Sequence, residues 1–222
     1  GDDGSLKTWG ELSAGVDWRQ ERGWAGGLGL KYKWEGYEGY LDSYYLYDLG
    51  RDPSLSFNDK FPPLEREDRG RAHWFHRHDL DGQWRYELES HYLSDRSLRE
   101  EFFEREFKEE KDPETAAYLR WKHLNIMAFI YERSRLNDFQ TQDEYLPRVD
   151  VALLAQPLFP GLFDHVYYTE RFDSVYIRRR FDEDLRLDRV ETWRTDVINE
   201  LRLGLDLRVI QISPFIESRL TV

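Results

Sequence analysis

The sequence predicts an all-β chain, an antiparallel transmembrane β-barrel or part of a larger one, with one short helix in a loop near residues 97–110. Three observations carry that expectation. Apolar and polar residues alternate along most of the chain, and Gln83 to Leu93 is the clearest case. There Trp84, Tyr86, Leu88, Ser90 and Tyr92 fall on one face, and Gln83, Arg85, Glu87, Glu89 and His91 on the other. Many of the alternating segments run to about ten residues, the length a tilted strand needs to cross a bilayer, whereas strands of soluble domains average about five or six. Finally, no apolar run approaches the length of a spanning helix.

Taken in chain order, strands are predicted over roughly 6–19, 28–35, 37–48, 68–79 and 83–93, then 115–123, 125–135, 144–154, 165–179, 187–200 and 209–221. The first alternating strand sets Leu28, Leu30, Tyr32 and Trp34 against Gly29, Lys31, Lys33 and Glu35. The leucines Leu201, Leu203, Leu205 and Leu207 with Val209 alternate in the same way with Arg202, Gly204, Asp206 and Arg208. This gives about ten to twelve strands. Short turns at Gly70, Asp79–Gly82, Leu158–Phe163 and Leu203–Asp206 are candidates to join them, although the last also reads as continuous strand. Gly50 to Asp68 is rich in Pro, Asp and Ser and reads as a long loop. Residues 1–222 are expected to form a single β-barrel domain fragment without an internal boundary. The helix is expected because Ser97 and Glu100 form a capping-box pattern, Leu98/Phe102 and Phe103/Phe107 are spaced four apart, and Asp112-Pro113 stops the run.

Composition narrows the function classes. The chain has 222 residues, 16% of them aromatic, enough large rings to exclude a disordered segment. Charged residues make up 34% and the mean hydropathy is -0.80, too polar for a helical membrane protein. A net charge of -12 argues against a nucleic-acid partner, since phosphate neutralisation needs a basic face. There is no Cys, hence neither a disulfide framework nor a thiolate metal site. The start Gly1-Asp2-Asp3-Gly4 and a single Met, Met127, read as a processed or excised piece of a longer protein.

The two faces of Gln83 to Leu93 demand different surroundings. Lipid against Arg85, Glu87, Glu89 and His91 would cost up to ~2–4 kcal/mol for each charge near the midplane, on the order of ten kcal/mol together. That face is therefore expected to be wet, as the lining of a lumen. The aromatic and aliphatic face is left for hydrocarbon or for a protein core, and periodicity does not choose between them. Trp18, Trp24, Trp34, Trp74, Trp84, Trp121 and Trp193 near strand ends suggest interfacial girdles, although Trp also has a high strand propensity.

Candidate chemistry is sparse. His73, His76, His78 and Asp79 are the densest group of metal-ligand types, but on a strand His76 and His78 share one face and His73 points to the other, so no metal site is expected. The acidic neighbours Glu100/Glu101, Glu109/Glu110 and Asp182/Glu183/Asp184 point apart and read as solvated charges. No Gly-x-Ser-x-Gly elbow, phosphate-binding glycine loop or His-Glu-x-x-His motif is present, so neither an enzyme nor a cofactor is expected. Arg178 to Arg180 form a basic triplet suited to phosphorylated lipid heads or to pairing with nearby acids in a loop.

Several stretches, in order along nearly the whole chain, resemble one family. They are GGLGLKYKWEGYEGYLDSYYLYD and RGRAHWFHRHDLDGQWRYELESHYLSDR, the latter ending a long hairpin in Ser94-Asp95. They continue with FQTQDEYLPRVDVALLAQPLF, in which Leu146-Pro147 opens a strand, and close with RTDVINELRLGLDLRVIQISPFIESRLTV, which contains Ser213-Pro214-Phe215. Together these resemble the barrel domain of the lipopolysaccharide-assembly outer-membrane proteins of the LptD (OstA/Imp) family. The resemblance implies a Gram-negative outer-membrane translocon that inserts lipopolysaccharide into the outer leaflet through a lateral opening between its first and last strands. It implies an LptE-like plug lipoprotein, periplasmic transport-bridge proteins and outer-membrane lipid as partners, and no catalytic residue. The family-like positions are Ser94, Asp95, Leu146, Pro147 and Pro214. The chain departs from the family in lacking the disulfides of well-known members, in looking too short for the whole barrel, and in showing no periplasmic lipid-receiving domain. The alternatives left by the residues themselves are a porin-like outer-membrane channel, a soluble secreted carbohydrate-binding β domain, and an outer-membrane hydrolase with dispersed Ser, His and Asp.

Overall fold

The computed structural model describes residues 9–50, 67–109, 111–161 and 163–222, apart from the side chains of 163 and 164. Ten strands follow one another as a meander: β1 (Gly10–Arg19), β2 (Gly23–Trp34), β3 (Tyr37–Tyr47), β4 (Asp68–Asp79), β5 (Trp84–Leu93), β6 (Thr115–His123), β7 (Ile126–Ser134), β8 (Gln142–Phe159), β9 (Phe163–Arg180) and β10 (Val190–Leu203). A small hairpin of β11 (Leu205–Asp206) and β12 (Gln211–Ile212) precedes β13 (Phe215–Thr221), which pairs with β10. The result is one antiparallel sheet of eleven strands in the order β1 through β10 and then β13. The sheet is open, with β1 and β13 as its edges.

The two ends of the sheet differ in how the strands are joined. At one end the turns are tight: Glu35-Gly36, Leu80–Gln83 and Leu124-Asn125 join β2 to β3, β4 to β5 and β6 to β7. Gly36, with φ at 86°, has the left-handed backbone that glycine adopts without strain, and the space beside it is closed by the Asp79 carbonyl. At the other end β3 stops and β4 starts, and the insert after β5, residues 135–141 and residues 181–189 make longer connections. Most of the long loop expected at 50–68 lies outside the described residues.

The insert differs from the single capped helix that the sequence suggests. It is two short helices, α1 (Leu98–Phe102) and α2 (Glu104–Glu109), broken at Phe103. Ser97 is the N-cap residue, yet its side chain makes no cap hydrogen bond. The hydroxyl instead donates to Asp95 and accepts from Arg69, so the capping box does not form.

Two strand boundaries also shift. β8 and β9 run 18 residues each, beyond the expected ends at 154 and 165. The alternation from Leu201 to Val209 does not make one strand. β10 continues only while it is flanked, to Leu203 beside Val166 of β9 and to Arg202 beside Phe215 of β13. Beyond that point the Gly204 amide turns to the His165 carbonyl, and Leu205-Asp206 enters the small hairpin.

Nothing in the described chain covers the apolar face of this sheet. Among the described residues the buried hydrophobic ones are few: Ala25, Leu46, Leu93, Leu98, Ala152 and Val175. By contrast Val16 is 80% exposed, Leu28 57% and Trp193 60%. Pairing registers carry one continuous apolar surface across the strands, through Leu12 and Leu30 of β1 and β2, Leu41 and Trp74 of β3 and β4, Leu119 and Ile130 of β6 and β7, and Val151 and Phe172 of β8 and β9.

Candidate functional site: the charged face and its rim

The opposite face carries the charges, and strand alternation puts them there. Arg85, Glu87, Glu89 and His91 share it with Arg77, Phe75 and His73 of β4, their register partners or near neighbours. Near the tight turns an ion-pair ladder crosses four strands. Lys33 bonds Glu38 at 3.0 Å, Arg77 bonds Glu38 at 3.2 Å and Glu87 at 2.8 Å, and Arg85 bonds Asp79 at 2.5 Å. Farther along, Glu89 accepts from Lys111 at 2.7 Å and lies 3.3 Å from His73 Nε2. His91 stacks on His73 with ring centroids 4.3 Å apart. The same face continues through Arg148–Asp173 at 2.7 Å, Arg171–Asp150, and Arg194 and Arg219 around Asp196.

At the long-loop end the charges are buried. Arg69 is 2% exposed and bonds Asp95 at 2.7 and 3.1 Å, Asp48 at 3.0 Å and Glu101 at 3.2 Å. Arg22 bonds Asp48 and Glu101, each at 3.0 Å. The Phe102 ring lies 5.0 Å from the Arg69 guanidinium, and Phe103 lies 3.6 Å from that of Arg71. Arg71 also pairs with Asp42 and Glu106. These contacts hold the insert against the charged face over β3 to β5. Because a buried arginine is stable only when its donors are met, the cluster fixes the insert in one position. On the outer side of the insert, the Lys108 ammonium holds the Glu104 carboxyl below its usual range and is itself raised by that carboxylate.

The family-like positions are scattered. Ser94 accepts from the Gly70 amide at 2.9 Å and donates to Asp95 at 2.6 Å, so Ser94 and Asp95 both belong to the Arg69 cluster. Leu146-Pro147 is a cis peptide at a register shift between Tyr145 and Arg148 in β8. The Pro214 carbonyl accepts from the Leu203 amide at 3.0 Å just before β13. Arg69, Asp48 and Glu101, the centre of the cluster, escape sequence reading because Arg69 is 21 residues from Asp48 and 26 from Asp95.

The histidines separate as strand alternation requires. His76 and His78 lie on the apolar face, both beside the Tyr86 hydroxyl at 3.1 and 3.3 Å, and His73 lies on the charged face. Among the described residues no group of three His, Asp or Glu is placed to hold a metal ion. The apolar face is not uniform: Glu170, Asn199 and Ser218 form a polar stripe across β9, β10 and β13, with the Tyr168 hydroxyl donating to Asn199 at 2.6 Å.

Several Trp and Tyr residues of the apolar face fall in two rows, with Trp74 in the middle of β4 between them. One, near the long connections, holds Trp18 and Trp24, which pack 4.9 Å apart, and Tyr176 and Trp193, 6.0 Å apart. The other, near the tight turns, holds Trp34, Tyr37, Tyr86 and the pair Trp84–Trp121. Along β2 the rows are ten residue steps apart, 34 minus 24. At ~3.3 Å per residue and a barrel tilt of about 40°, that is ~25 Å measured perpendicular to a membrane plane.

No protein-family model matches the sequence, and no curated protein matches it. No described helix is long and apolar enough to cross a membrane, which says nothing of crossing by strands.

Proposed function

We propose that the chain forms the wall of an outer-membrane β-barrel and works, as its resemblance to the LptD family implies, in inserting lipopolysaccharide into the outer leaflet. The observation that carries the membrane part is the single-layer sheet itself. One face presents apolar side chains that nothing in the described chain covers, bounded by two rows of Trp and Tyr about a bilayer core apart. The other face presents paired charges that need water. A surface of that extent left in water would aggregate; against hydrocarbon it is satisfied.

In this reading β1 and β13 do not remain open, because unpaired strand edges are not tolerated in lipid. They pair with each other or with further strands. The charged face lines the lumen, and residues such as Arg85, Glu87 and Glu89 pass a hydrated glycan while the acyl chains leave sideways. Long connections belong outside and tight turns on the periplasmic side, which puts the α1–α2 insert at the outer mouth. An LptE-like lipoprotein and periplasmic bridge proteins are the partners of this role. The polar character of the lumen also suits a porin-like channel, and bilayer conductance independent of any plug lipoprotein separates the two.

Depletion of the parent protein tests the transport role: surface lipopolysaccharide falls if the proposal holds and stays unchanged if it does not. Recovery of the protein without detergent would overturn the membrane reading that underlies it.

A further inference from the structure

The charged loop at the β9–β10 end contains a feature that the transport reading leaves unused. Arg178 and Arg180 end β9 on the same face as Phe172 and Tyr176, the apolar face, because alternate residues of a strand share a side. Arg178 pairs in register with Glu191, and Tyr176 with Trp193. The arginines therefore stand directly above the outer row of rings. Together with Arg135, Arg186 and Arg189 they line an open cavity of about 510 Å³.

The charge of this cavity runs against that of the chain. Five arginines and three carboxylates line it, a surplus of two positive charges in a protein whose net charge is -12. Most of these groups are committed. Arg178 bonds Glu144 at 2.6 Å, Arg135 bonds Glu183 at 3.2 Å and Arg189 bonds Glu191 at 3.0 Å, while Asp182 is taken by Arg96 at 2.5 Å. Arg180, Arg186 and Asp188 form no ion pair among the described residues, which leaves one net positive charge uncommitted in the cavity. Exposed Leu187 also lines the cavity, and exposed Trp193 pairs in register with Tyr176 on the strand below.

We propose that this cavity binds the phosphate group of an anionic amphiphile, held by Arg180 and Arg186, with its apolar part lying along the face that carries Tyr176 and Trp193. Two guanidinium forks match a phosphate oxyanion in shape and charge. The lipid part of the ligand rests on the membrane reading above; the phosphate part does not.

The test uses the full-length protein and three probes: inorganic phosphate, lipid A in micelles, and the same lipid A after enzymatic removal of its phosphates. The expected result is that lipid A binds about tenfold or more tightly than its dephosphorylated form, and that R180Q/R186Q removes this difference while R180K/R186K keeps part of it. Because neither arginine is ion-paired, circular dichroism of the double variants should match the parent. Equal binding of the two lipids by the unsubstituted protein overturns the proposal, as does a phosphate preference that R180Q/R186Q leaves intact. Binding of inorganic phosphate without any preference for phosphorylated lipid overturns the amphiphile. If the protein needs no detergent, the membrane reading fails by itself, and loss of inorganic-phosphate binding in R180Q/R186Q then decides the anion site separately.

Discussion

The two faces of the sheet share one backbone and solve opposite problems. On the charged face the side chains find one another: Lys33, Glu38, Arg77 and Glu87 join across β2 to β5, and Arg69 gathers three carboxylates under the insert. On the apolar face Val16, Leu28 and Trp193 find no covering layer. The difference teaches where each face obtains its stability. The charged face pairs most of its groups within the chain, and the described residues supply no cover for the apolar face.

The sharpest way to break the first half of that contrast is Arg69→Ala. It leaves Asp48 and Glu101 to Arg22 and takes the guanidinium away from buried Asp95, which keeps the Ser94 and Ser97 hydroxyls, and a broken buried pair costs ~3–5 kcal/mol. Denaturant unfolding in detergent or lipid should show this loss, together with protease cleavage of the insert.

The second half is broken by Leu28→Arg, placed between Trp24 and Trp34 on β2. In a bilayer it should cost ~2–4 kcal/mol, and on a face open to water less than about 0.5 kcal/mol. Refolding into vesicles, with the folded fraction read by gel shift, measures which applies.

Glu170→Leu sharpens the contrast from the other side. The polar stripe of Glu170, Asn199 and Ser218 is where the apolar face should be weakest. Removing its carboxylate should stabilise the protein in lipid by up to ~2 kcal/mol, since acidic residues facing lipid cost less than basic ones. Vesicle-refolding titrations would register it as a shift to higher denaturant.

Smallest of all is Asp173→Asn. The Arg148–Asp173 pair, at 2.7 Å, lies on the charged face away from the insert, and a partly exposed pair of this kind contributes ~0–1 kcal/mol. An effect as large as that of Arg69→Ala would mean that the charged face is covered there too.

Much of this was legible in the sequence where each residue's neighbours are local. The alternation of Trp84 to Leu93 fixes both faces of β5, and the placement of His76 and His78 opposite His73 follows from the same period of two. The insert was legible as helical, but its capping box was misleading because Ser97 serves Asp95 and Arg69 rather than the helix end. The Leu201–Val209 alternation misled for a related reason: a strand persists only while partners flank it, and those partners, Val166 and Phe215, are set by the rest of the sheet. The Arg69 cluster lay beyond reach altogether, since Arg22 and Glu101 meet across 79 residues.

The central claim, that one face meets lipid and the other water, is open to a direct measurement because the chain has no cysteine of its own. Single cysteines at Arg171, Phe172, Asp173 and Ser174 of β9, each carrying an environment-sensitive fluorophore in vesicles, would be challenged with a water-soluble quencher and with a nitroxide lipid. The account predicts an alternation of period two, with positions 172 and 174 quenched from the lipid and 171 and 173 from the water. Uniform quenching from the water at all four positions would contradict it.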